Sequence, residues 1–68
     1  MITIIEIWKR EERGEEEVKL DVDGKYELHI EKNIEGYNIE LYKKILYEDG
    51  SKTLKEIASI TLWRDGGE

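Results

Sequence analysis

Apolar and polar side chains alternate with a period of two along most of this chain, and the alternation breaks at Gly14, Gly24, Gly36 and Gly50. A period of two puts successive side chains on opposite faces of a strand. Glycines spaced ten to fourteen residues apart, between segments rich in β-branched and aromatic residues, mark consecutive hairpins. The pattern therefore predicts an all-β fold, a five-stranded antiparallel meander with strands near 2–10, 16–22, 25–32, 37–47 and 52–63. A single small β domain over 1–64 and a flexible C-terminal tail over 65–68 complete the expected organisation.

Each turn is tested by whether it brings apolar residues opposite apolar residues, because a one-residue slip sends a whole strand's side chains to the wrong face. A two-residue Asp49-Gly50 turn pairs Ile45 with Leu54, Lys43 with Glu56, Leu41 with Ala58, Ile39 with Ile60 and Tyr37 with Leu62. A loop of Val22, Asp23 and Gly24 pairs Leu20 with Tyr26 and Val18 with Leu28. Four-residue loops ending at Gly14 and Gly36 pair Ile5 with Leu20, Ile7 with Val18, Ile30 with Ile39 and Leu28 with Leu41. All four turns agree on one inner face.

Residues 53–63, TLKEIASITLW, also fit a helix, with Thr53 and Glu56 as a capping box. A helix there would invite a helix-turn-helix reading. The strand reading prevails because it finds a partner for every apolar residue on one face and sets Glu56 against a lysine, whereas Ile60, Thr61 and Trp63 lose side-chain freedom in a helix.

The inner face then carries Ile5, Ile7, Val18, Leu20, Tyr26, Leu28, Ile30, Tyr37, Ile39, Leu41, Ile45, Leu54, Ala58, Ile60 and Leu62. With no helix to cover it, the sheet is expected to be either a small barrel or a curved sheet completed by homodimerisation. Ile2, Ile4, Trp8, Tyr42, Leu46, Ile57 and Trp63 fall on the outward parity. Strand 1 carries no charge before Glu6, and an unblunted apolar edge of this kind seeks another strand. Ile2 and Ile4 are thus the predicted self-association edge, with a homodimer slightly ahead of barrel closure.

Composition narrows the class further. The chain has 68 residues and no cysteine, so disulfides, thiolate nucleophiles and thiolate metal sites are all excluded and a reducing, cytoplasmic setting is the default. Charged residues make up 41%, with both signs interspersed. That is far above the roughly 25% of an average protein. Ten isoleucines beside two valines, with abundant Glu and Lys, suit a heat-adapted, thermostable source. A de novo designed β protein with no biological function is the alternative origin; the absence of Pro and Phe fits it.

Net charge is −6, and residues 1–40 hold twelve acids against six bases while residues 41–68 hold five of each. The acidic part repels nucleic acid. The longest uncharged apolar run is five residues, too short for a membrane helix or signal-peptide core.

Candidate chemistry is sparse. His29 is the lone histidine, expected on the outer face opposite Glu17 and Glu40; no activated nucleophile accompanies it, so no catalytic residue is assigned. The acidic run Glu11, Glu12, Glu15, Glu16 and Glu17 surrounds the first turn without the ligand spacing of a calcium loop. A zinc site within one chain would have to rest on carboxylates. No metal and no cofactor is assigned, and no glycine-rich phosphate loop occurs.

The function expected from these features is a non-catalytic protein-protein interaction or inhibitor-type module. It is a small acidic domain, of mobile-element origin in one variant, whose glutamates mimic phosphates. Trp8, Tyr42, Ile57 and Trp63 are its expected partner-binding residues, as exposed aromatics ringed by charge. The alternative is a single-stranded nucleic-acid platform on strands 4 and 5 built from Tyr42, Lys44, Lys55 and Trp63, where base stacking contributes about 1 to 3 kcal/mol per base. The two differ in requiring an acidic stripe or a contiguous basic groove.

Overall fold

In the computed structural model, which describes residues 1–64, the chain is one antiparallel sheet with strand order β1-β2-β3-β4-β5. The strands are β1 (Ile2–Arg10), β2 (Glu15–Val22), β3 (Tyr26–Asn33), β4 (Gly36–Leu46) and β5 (Lys52–Trp63). The tail expected over 65–68 lies outside the described residues. Residues 52–63 are strand throughout, so the helical alternative fails.

Each turn has a local cause. A 3-10 turn over Glu11–Arg13 ends on Gly14, whose left-handed backbone lets its N–H donate to the Glu11 carbonyl at 3.1 Å. Asp23 and Gly24 both take positive φ, the backbone of the mirror-image turns that match strand twist. Between β3 and β4 the Asn33 side chain accepts from the N–H groups of Glu35 and Gly36. At the last hairpin Tyr47 N–H donates to Ser51 and Gly50 N–H to Tyr47, closing Glu48, Asp49 and Gly50 into a three-residue loop rather than the expected two.

That extra loop residue shifts the end of β4 and β5 by one, so Lys44 faces Leu54, Lys43 faces Lys55 and Tyr42 faces Glu56. A bulge at Ile57 absorbs the shift, and from Leu41 and Ala58 onward the expected register returns. Leu54 therefore lies on the polar face, and the expected Lys43–Glu56 pair is replaced. A second bulge at Ile5 does the reverse for β1. Ile7 faces Val18 as expected, but Ile4 faces Leu20 and Ile2 faces Val22, so both isoleucines turn onto the apolar face. The β2–β3 register is two residues from the expected one, with Val22 opposite Tyr26 and Leu20 opposite Leu28, which preserves the faces. The β3–β4 register is as expected.

The apolar face thus consists of straight cross-strand rows. Two central rows, Ile4–Leu20–Leu28–Leu41–Ala58 and Ile7–Val18–Ile30–Ile39–Ile60, hold only aliphatic side chains. An end row of Lys9, Glu16, Lys32, Tyr37 and Leu62 lies on one side, and one of Ile2, Val22, Tyr26, Lys43 and Lys55 on the other. Such rows, with tight loops and no cumulative stagger, leave the sheet open: barrel closure needs coordinated tilt and shear between strands. Among the described residues β1 and β5 do not pair, and the barrel half of the expectation is overturned. Among the described residues no apolar side chain is buried, and Ile7 remains 65% exposed.

Candidate functional site

The opposite face is polar, and its chemistry follows from the same registers. At its centre β2, β3 and β4 bring Asp21, Glu27 and Tyr42 into one row and Lys19, His29 and Glu40 into the next. Lys44 forms a hydrogen-bonded ion pair with Asp21 and lies 3.9 Å from Glu27. Among the described residues Glu27 is the single buried one bearing charge, 8% exposed, and it sits 3.0 Å from His29 Nε2. The His29 and Tyr42 rings lie 4.5 Å apart at a tilt of 46°, and the Tyr42 hydroxyl donates to Glu40 at 2.9 Å.

These contacts move the acidities. The hydrogen bond to Glu40 pushes Tyr42 up to about 12, helped by partial desolvation and by the negative charges of Glu40, Glu56 and Glu31. The bond from Lys44, and then the Gly24 N–H, hold Asp21 below the usual carboxylate value. The Ser51 hydroxyl and N–H lower Asp49 in the last turn. His29 faces Glu40 as expected; on its other side it faces Lys19 in place of Glu17, because of the two-residue β2–β3 shift. The Tyr42 hydroxyl on Glu40, the His29 ring against Tyr42 and the His29–Glu27 hydrogen bond form a brace across β3 and β4.

One end of this face is different. Trp8 is 41% exposed and stands in a shallow concavity lined by five carboxylates, Glu6, Glu15, Glu16, Glu17 and Glu31, with Lys32 and Asn33 at its side. The Arg10 guanidinium lies 5.2 Å from the Trp8 ring centre, so one side of the indole already receives a cation. Glu6 is paired with Lys19 at 3.4 Å, while Glu17 faces Glu31 directly across the β2–β3 ladder.

The other expected partner-binding residues are dispersed. Tyr42 is half-buried inside the brace, and Ile57 occupies the β5 bulge. Trp63 is exposed opposite Gly36 at the far edge, four strand spacings or about 19 Å from the β1 edge. Of the residues expected for nucleic acid, Tyr42 and Lys44 share the polar face but Lys44 is held by Asp21, whereas Lys55 belongs to the apolar face opposite Lys43. Ile2 and Ile4, expected at a self-association edge, form the β1 end of the apolar rows.

Sequence reading missed the Asp21–Lys44 link, which joins residues 23 apart across two hairpins. The opposite charges were visible; the register that joins them was not. Among the described residues no group of three or more potential metal ligands converges. The chain matches no family model, no curated protein and no solved structure.

Proposed function

We propose that this chain is a non-catalytic protein-binding module that offers the Trp8 end of its polar face to a basic partner. The observation that carries the reading is Trp8 among Glu15, Glu17 and Glu31, with one side of its ring already against a guanidinium. An indole supplies large contact area and a cation-receptive ring, and surrounding carboxylates pair with arginine in fork geometry. An inhibitor that occupies the basic groove of a nucleic-acid-binding protein would use the same surface.

Titration with an arginine-rich peptide, followed by tryptophan fluorescence, tests this. Binding that weakens with salt, and that falls about tenfold or more in Trp8→Ala, is the expected outcome. Unchanged affinity in Trp8→Ala, or tighter binding of a single-stranded oligonucleotide at the same salt, overturns it.

A further inference from the structure

We propose that the apolar face is covered by a second copy of this chain, packed face to face and turned end for end about an axis running across the strands. Among the described residues no apolar side chain is fully buried: the middle of the apolar face is half-covered, and Ile4, Ile7 and Ile60 are more than half exposed. Ordering each residue costs about 1.5 kcal/mol, and apolar burial is the main term set against that cost, so a further covered face adds to stability. A second copy is the partner guaranteed to be present in equal amount.

The dimensions suit it. Five strands at about 4.8 Å and four rows at about 6.8 Å give a footprint of about 650 Å² per copy. Two such faces come to about 1,300 Å², within the size range of stable interfaces. Two equally twisted sheets pack with their strands about 30° apart, which keeps the uncharged central rows of both copies against one another.

Charge selects the rotation. Turned end for end, the row of Lys32, Tyr37 and Leu62 meets the partner's row of Tyr26, Lys43 and Lys55. Each lysine then lies over an aromatic or aliphatic side chain, Lys9 over Ile2, Lys32 over Tyr26, Lys43 over Tyr37 and Lys55 over Leu62, with its stem buried and its ammonium at the rim, and Glu16 lies over Val22 with its carboxylate at the same rim. The other two-fold, along the strands, would set Lys32 against its own copy. An anionic bilayer is a poorer cover, because Glu11, Glu12 and the net charge of −6 repel it. The inference stands apart from the proposed binding of a basic partner, which uses the other face.

Sedimentation equilibrium at micromolar concentration is expected to give twice the chain mass of 8.1 kDa. Ile30→Lys abolishes that species, whereas Trp8→Ala leaves it intact whatever becomes of peptide binding. The chain lacks cysteine, so single-cysteine variants report geometry at rim positions that tolerate change. A mixture of Lys32→Cys and Tyr26→Cys forms a mixed disulfide in preference to either like pair. A folded monomer, a chain that stays unfolded until another protein is added, or preferential Lys32→Cys self-linkage each overturns the proposal. So does a dimer whose outward β1 amides are protected from hydrogen exchange, because that marks edge pairing.

Discussion

Tyr42 is a phenol whose hydroxyl donates to a carboxylate, and its titration is a direct report on the polar brace. Folding raises its pKa from near 10 to about 12, so folding favours its neutral form. Its contribution to stability is fully present below about pH 10 and is lost as pH rises toward 12. Tyr42 is expected to give a tyrosinate absorbance step near pH 12, and Tyr42→Phe removes that step. Asp21 runs the other way: its lowered pKa gives stability present above the ordinary carboxylate value near 4 and lost as pH falls through the native value. Gly36 tests backbone shape. Its φ is +148°, and a Cβ there would land on the Leu62 carbonyl of β5. Gly36→Ala is expected to destabilise by at least the 1 to 3 kcal/mol (roughly) of a strained backbone, read as a lower denaturation midpoint. Gly24→Ala, with open space around the position, carries only the left-handed strain of about 1 to 2 kcal/mol.

The strands show which information is local. The chain order, the strand ends and the β3–β4 register were legible because each hairpin is closed by its own turn residues, and because Leu28 with Leu41 and Ile30 with Ile39 leave little choice of face. The bulges were not. Ile4 and Ile5 are adjacent and identical in chemistry, so pairing Leu20 with either looks equally good until the chain must also bring Ile2 to Val22. The same ambiguity hid the site: the facing of His29 and Glu40 was readable from one hairpin, whereas Lys44 with Asp21 needs two registers to be right at once. A bulge residue is unpaired by construction, so deleting Ile5 or Ile57 is expected to straighten its strand and keep the meander. Deleting Ile39 is different, since β4 is paired on both sides and the loss throws half its side chains to the wrong face. Circular dichroism and amide spectra of the three deletions are expected to show two folded sheets and one unfolded chain.

At the level of the whole molecule the two faces divide the work: the centre of the polar face is held by the Lys44–Asp21 ion pair and the His29–Glu27 hydrogen bond, whereas the apolar face is only half-covered on its middle strands and exposed on β1 and β5. If a second copy supplies the cover, folding and association are one event, and stability depends on concentration. Two chains of 68 residues then unfold together. Each tenfold dilution removes about 1.4 kcal/mol from the pair. With an unfolding entropy of about 2.1 cal/mol/K per residue, that lowers the melting midpoint by about 5 °C. Thermal melts followed by circular dichroism over two decades of concentration are expected to show this drift with a single sharp transition. A midpoint that does not move with dilution would mean that the sheet holds its shape alone, against everything its uncovered isoleucines imply.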